Sequence, residues 1–258
     1  MDTKNVIAAI SLSAAIIILW GLFFAPPPPD PTKIKEENKS LQTTVTDAPS
    51  LDQNNEVIKI SRNEALEEEE RVYFENNNIK GSISLVGATI DDLTFKNYTE
   101  TLNGSDDVVL LNPRKSEDGY YVETGWATTS KNIDVPTSKT TWLVEGNTKL
   151  TPRSPIKLVW TNDQNIKFEK EISIDEQFLF NVKQNVINNS EKTYNFYPYG
   201  QIIRNKSPQV TNFYILHEGL IGVFDDQLVE KDYEDIEDKK YSVNADKGWL
   251  GITDKYWI

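Results

Sequence analysis

Apolar residues are distributed along this chain in two regimes. Val6 to Ala25 is an unbroken run without a charge, whereas from about residue 71 apolar and polar positions alternate in short stretches. The first run is long enough for a helix rising about 1.5 Å per residue to cross the roughly 30 Å hydrocarbon core of a bilayer. Eleven of its twenty residues are Val, Ile, Leu or Phe, which favours insertion by about 3 to 7 kcal/mol. It closes as Trp20-Gly21-Leu22-Phe23-Phe24-Ala25 and runs into Pro26 to Pro29. Bulky residues followed by proline do not form the small-residue cleavage site of a secretory signal. The pattern therefore predicts a retained transmembrane helix over 6–25, with Trp20 at the membrane interface.

The second regime predicts strands. Val72-Tyr73-Phe74, Ile79 to Val86, Ile90 to Phe95 and Val108 to Leu111 are separated by Asn76-Asn77-Asn78, Gly87 and Asn103-Gly104-Ser105, the punctuation of an all-β fold. The clearest hairpin runs from Ile156 to Trp160, turns through Thr161 to Asn165 and returns over Ile166 to Ile174. In the return arm Ile166, Phe168, Ile172 and Ile174 share one face, and Lys167, Glu169, Glu171 and Ser173 share the other. Phe178, Phe180, Val182 and Val186 repeat the alternation, and Tyr194 to Ile203 adds an aromatic strand. These elements predict one large β-sandwich over 71–247.

Two segments fall outside both regimes. Residues 26–70 are rich in Pro, Glu, Asn, Thr and Asp, too polar to bury the surface that would offset their ordering entropy, and are expected to be a flexible tether. The Glu67 to Glu70 run within it reads as a solvated or helix-starting acid cluster. At the other end, Trp249, Ile252 and Tyr256 stand at helical spacing with Trp257 beside them, which predicts the start of an amphipathic interfacial helix over 248–258, with Trp249, Tyr256 and Trp257 at the headgroups. The chain is expected to continue beyond it.

Charge sets the orientation. The short N-terminus, residues 1–5, carries Lys4 and Asp2, while the residues after the run hold essentially all of the formal charge of −13. The positive-inside rule leaves 1–5 in the cytoplasm and exports the rest. An acidic exported domain cannot bind nucleic acid by phosphate neutralisation.

Candidate chemistry is sparse. With no cysteine and His217 as the sole histidine, thiol catalysis, disulfide scaffolds and multi-histidine metal sites are excluded. His217 and Glu218 are adjacent, and on a strand they would point to opposite faces, so the histidine reads as structural. The acids from Asp225 to Asp238 lack the D-x-[DN]-x-[DN]-G spacing that bends a loop around calcium. No catalytic, cofactor-binding or metal residue is assigned.

Several blocks together resemble a known family. Ile83-Ser84-Leu85-Val86-Gly87-Ala88-Thr89-Ile90-Asp91-Asp92-Leu93, Leu150-Thr151-Pro152 to Trp160, Tyr197-Pro198-Tyr199-Gly200, Leu216-His217-Glu218-Gly219 with Ile221-Gly222-Val223, and Gly248-Trp249 to Lys255-Tyr256-Trp257 are similar, in order and spacing, to the YidC membrane-protein insertases of Gram-negative bacteria. The resemblance implies a periplasmic β-supersandwich of the sugar-mutarotase type between the first and second transmembrane helices. It implies insertion and folding of integral membrane proteins at the inner membrane, alone or beside the Sec translocon. Nascent membrane proteins, translocon components and the lipid bilayer would be the partners, and no bond-making catalysis is involved. In the family a later five-helix bundle holds a groove arginine. That arginine maps to no position here, and Arg62, Arg71, Arg114, Arg153 and Arg204 are not its equivalents. The alternatives are an anchored periplasmic carbohydrate-binding or mutarotase-like module, and a structural protein that docks on the translocon.

Overall fold

A computed structural model describes residues 59–208, 217–237, 240–254 and 257. The expected anchor over 6–25 with Trp20, the tether up to residue 58, and Tyr256 lie outside these residues. No helix among the described residues is long and apolar enough to cross a membrane.

The expected strands form two sheets together with three that alternation did not single out, Tyr120–Thr128, Leu143–Glu145 and Lys149–Leu150. The larger contains β1 (Arg71–Glu75), β2 (Ile79–Ser84), β3 (Thr89–Thr99), β4 (Asp107–Leu111), β5 (Tyr120–Thr128), β7 (Lys149–Leu150) and β11 (Phe196–Arg204). Its order is β11-β5-β3-β2-β1-β7, with β4 also paired to β3. The smaller has the order β10-β9-β8-β6, built from β6 (Leu143–Glu145), β8 (Ile156–Thr161), β9 (Ile166–Ile174) and β10 (Phe180–Asn188). Their inner faces share one core. Val72, Phe74, Ile83, Ile90 and Trp126 of the first sheet lie in the same buried cluster as Leu158, Ile166, Phe168 and Ile172 of the second. Phe168 meets Trp126 edge-on at 5.2 Å and Phe196 at 5.4 Å. Burying a side chain of that size contributes about 2 to 3 kcal/mol, so these aromatic contacts hold the two layers together.

The β8–β9 hairpin follows the sequence reading. Asn162 makes its turn: its backbone N–H donates to Ile166 O, and its side-chain oxygen accepts from the N–H of Gln164 and of Ile166. Ile166, Phe168, Ile172 and Ile174 are buried. On the opposite face Glu169 accepts from Lys157 at 2.8 Å and from Lys167 at 3.0 Å, and with Asn185 they hold its carboxyl down at about 2. Phe178 departs from the expectation. It lies in the bend before β10, its ring 5.9 Å from Phe95.

The last part of the segment expected to be a tether, from Ile60 onward, is structured. Ile60 bridges Ser116 in parallel, and α1 (Arg62–Glu67) follows. Ser61 caps it through a reciprocal box with Glu64, a device worth about 1 kcal/mol. The acid run does not start this helix but ends it. Glu68 is its C-cap, where the helix dipole disfavours negative charge, and Lys115 compensates by donating to Glu68 at 2.7 Å.

A third sheet, not anticipated as such, has the order β13-β12-β14. It comprises β12 (Gly219–Phe224), β13 (Gln227–Asp232) and β14 (Gly248–Thr253), with α2 (Tyr233–Glu237) after β13. The interfacial helix expected over 248–258 is therefore a strand from 248 to 253. Its register is fixed by six pairs with β12, from Gly219↔Thr253 to Phe224↔Gly248. Gly248 has φ +155, and a Cβ there would come within 2.1 Å of Val223 O. Only glycine permits that approach, while glycines at 248 and 251 weaken any helix.

Candidate functional site

The outer face of the larger sheet carries a buried ionic layer beneath α1. Ser82 pairs with Asp92 and Ile83 with Ile90, leaving Asp91 as the extra residue of a bulge. Strict alternation would send adjacent aspartates to opposite faces; the bulge brings both carboxylates to the same group of partners. Arg71 pairs with Asp91 and donates from Nε to Ser82 Oγ at 2.7 Å, and Ser82 donates to Asp92 at 2.6 Å. Arg62, reaching down from α1, pairs with Asp92. The Arg71 and Asp91 side chains are only 2% and 4% exposed. Burial pushes the Asp91 carboxyl up to about 6, with the Arg71 charge pulling the other way. Further along the face, Arg114 pairs with the buried Glu123 at 2.5 Å and stacks over Tyr121 at 5.0 Å. The layer fastens the segment from Ile60 to Glu70 across the sheet as a strap. Glu69 accepts from Ser84 Oγ and lies 3.3 Å from Lys115.

A second polar device sits inside the core. Lys170 shares the inner face of β9 with Phe168 and Ile172 and is 1% exposed. Its ammonium crosses to the other sheet, donates to Thr124 O at 2.6 Å, and lies 4.9 Å from the Trp142 ring centre. Its cross-strand partner Gln184 donates to Gly125 O at 2.8 Å. β3 pairs with β5 only at Ile90↔Val122, so these side chains satisfy β5 carbonyls where strand pairing on that side has ended. Burial lowers the Lys170 ammonium to about 7, with the Glu123 charge pulling it up.

The third sheet is tied to the larger one through Arg204 at the end of β11. Its guanidinium donates to both Asp254 oxygens at 2.9 Å and to the Tyr233 hydroxyl at 3.1 Å, and it stacks over Tyr120 at 4.8 Å. Beyond β14 the backbones of Asp254 and Trp257 bond to each other reciprocally. The Trp257 ring then stacks on Phe95 at 4.3 Å and meets Tyr98 edge-on at 5.0 Å.

Of the residues expected at the membrane interface, two can be placed. Trp249 is exposed on β14, Trp257 is packed against β3, and Trp20 and Tyr256 are outside the described residues. His217 precedes β12 rather than lying on it, with Nε2 3.0 Å from Leu220 O and Nδ1 3.2 Å from Asp232. These contacts are local and structural, and Glu218 takes no part in them. Asp225 and Asp226 form the β12–β13 turn, both with positive φ, and Asp225 accepts from the N–H groups of Asp246 and Lys247. Among the described residues no three acids or histidines are grouped to hold a metal ion.

Two depressions open on the surface. One of ≈ 470 Å³ beside α1 is lined by Arg62, Tyr73, Lys80, Asp92 and Lys149. Its cations are already paired, Lys80 with Asp107 at 2.8 Å and Lys149 with Glu75 at 3.6 Å. Another of ≈ 420 Å³ lies between β10 and β11 at Val186, Tyr194 and Phe196 to Pro198. In the first the acids are engaged by cations of the same lining, Asp92 by Arg62 and Glu75 by Lys149, and the second is lined by aromatic, apolar and amide side chains. Four of the five arginines, at 62, 71, 114 and 204, are committed to Asp92, Asp91, Glu123 and Asp254. That is why none of them serves as a mobile cation.

Reasoning from sequence missed the Arg71–Asp91 layer, Lys170 and the Arg204 hub. Only the strap had a local signal, the Ser61-Arg62-Asn63-Glu64 capping box.

Residues 71–258 match the family model described as the YidC periplasmic domain. Over its whole length the chain is 55% identical to the membrane protein insertase YidC of Pelagibacter ubique, of which it covers 46%. It is 34% identical to that of Mesorhizobium japonicum, with 99% of this chain and 46% of the relative covered, and 38% identical to that of a Jannaschia species, with 100% and 45% covered. The chain spans about half the length of these curated relatives. It belongs to the YidC family and carries that family's periplasmic domain over residues 71–258.

Proposed function

We propose that this chain is the N-terminal part of an inner-membrane protein insertase. A helix over 6–25 anchors it, residues from 26 to about 58 form a tether, and a periplasmic β-domain of the supersandwich type comes after them. In this reading the protein assists insertion and folding of integral membrane proteins, alone or with the Sec translocon, and the β-domain contributes no bond-making chemistry. The observation that carries it is the match over residues 71–258 together with relatives named as insertases. Two features support it: the run from Val6 to Ala25, and the commitment of Arg62, Arg71, Arg114 and Arg204 to structural pairs. What an insertase supplies is relief of the cost of moving polar flanks through lipid, about 2.5 to 3.5 kcal/mol for one charged residue at the bilayer centre. That relief belongs to parts of the protein beyond the β-domain.

The test is replacement in a bacterium depleted of its own insertase. The gene containing this chain, expressed whole, should restore protease-protected insertion of a small membrane protein. Residues 1–258 alone should not. Restoration by residues 1–258, or failure of the whole gene despite normal expression, would overturn the proposal.

A further inference from the structure

At the β12–β13 turn end of the three-stranded sheet, apolar side chains of β13 and β14 are exposed and no other described element covers them, whereas those of β12 are half-buried. A sheet of this kind must bury its apolar face against another element to be stable. Yet none of the side chains of β12, β13 and β14 belongs to, or packs on, the core cluster of the sandwich. Cross-strand pairing places Leu228, Val223 and Trp249 in one row on one face. Leu228 is 59% exposed and Trp249 49%, and Leu250, also 63% exposed, stands next to the row on the other face. Tryptophan and leucine exposed together in a rigid ladder form the kind of patch that a partner covers.

The surrounding charge decides which partner. Residues 217–254 hold eleven acids against four lysines, so −7 of the chain's −13 is concentrated there. Asp226, paired with Lys247 at 2.7 Å, stands at the turn beside the row, and Glu230, for which no ion pair is found among the described residues, lies two residues along β13 from Leu228, on the same face. An anionic bilayer surface is repelled by such a rim, whereas a polypeptide presenting apolar side chains flanked by lysine or arginine is complementary to it.

We infer that the Leu228–Val223–Trp249 row is a docking surface for a basic, apolar polypeptide segment. The inference does not depend on the insertase reading. The Arg204 hub holds this sheet against the end of β11, and the row lies toward the opposite, β12–β13 turn end. A docked segment is thereby held at a fixed position relative to the sandwich.

Because the chain has no cysteine, Gln227→Cys introduces a unique thiol beside the row for an environment-sensitive fluorophore. The full labelled chain in phosphatidylcholine nanodiscs is titrated with an amphipathic Leu/Lys peptide and with its Leu/Glu counterpart. A saturable blue shift is expected with the first alone. Trp249→Ser should weaken it by about tenfold or more, and Asp226→Asn with Glu230→Gln should weaken it and flatten its salt dependence. Circular dichroism and the thermal midpoint verify that each variant is folded. Equal binding of the two peptides, or insensitivity to the Trp249 and acid variants, overturns the inference. So does quenching of the fluorophore by nitroxide lipids without peptide, which would assign the row to the bilayer.

Discussion

The Nζ of Lys170 lies 2.6 Å from the carbonyl oxygen of Thr124, so a lysine rooted in one sheet closes the backbone of the other. Burial lowers this ammonium to about 7, well below its value near 10.4 in an unfolded chain. Between pH 7 and 10 the unfolded state therefore binds a proton that the folded state does not. Stability from this group rises with pH across that window, by at most about 1.4 kcal/mol per unit, and levels off below 7. Urea midpoints measured from pH 7 to 10 should rise in the parent protein relative to Lys170→Met. Parallel curves would mean that the ammonium is not buried as described.

The Arg71–Asp91 pair gives a pH effect of opposite direction. Arg71→Met leaves a carboxylate without its cation in a site only 4% exposed, a change that costs about 3 to 5 kcal/mol when the acid is ionised. Removing the arginine also removes the charge that restrains the rise of Asp91 above its present value of about 6. The folded variant then retains a proton that the unfolded chain has lost, so stability lost at pH 8 should be partly regained at pH 5. Chemical denaturation at the two values checks this, and a deficit independent of pH would contradict it.

Ser61→Ala removes the box that starts α1 and should cost about 0.5 to 2 kcal/mol. The loss should be local. Hydrogen exchange should quicken at the N–H groups of Ala65 and Glu68, which bond within this turn, while the β8–β9 ladder stays protected. Equal acceleration in β9 would show that the strap and the sandwich open as one unit.

For the N-terminal run, intact mass of protein extracted from membranes should include the residues before Pro26, because Phe23-Phe24-Ala25-Pro26 is not a cleavage site. A mature species beginning near Pro26 or Asp30 would refute retention of the anchor.

How far the fold could be read from sequence depended on whether one face of a strand is dry. β9 has such a face, and its alternation was plain even though Lys170 occupies a core-facing position that composition alone would place outside. β12 has no such signal. Leu220, Ile221, Val223 and Phe224 put apolar side chains on both faces and all four are half-buried, so no alternation marks a dry side. The spacing of Trp249, Ile252 and Tyr256 fitted a helix, but the pairing that makes 248–253 a strand comes from β12, outside that segment. Asp91 and Asp92 were visible as a dipeptide of the family's pattern. Their convergence depends on a bulge opposite Ser82 and Ile83, which local periodicity does not encode. The stacking of Trp257 on Phe95 joins opposite ends of the domain's sequence, and no single sequence specifies such a contact.

Both places where the chain enters and leaves the folded region are fastened to β3. The strap grips Asp92 through Arg62, and the exit grips Phe95 through Trp257. Two residues, Leu93 and Thr94, stand between these grips, three steps or about 10 Å of extended strand. The first and last described segments of the domain are thus referenced to one short stretch of a single interior strand, with further ties at Ser116 and Arg204. A displacement of the strap relative to the segment around Trp257 would therefore have to distort β3 itself, which couples the two ends of the domain's sequence through its most interior strand.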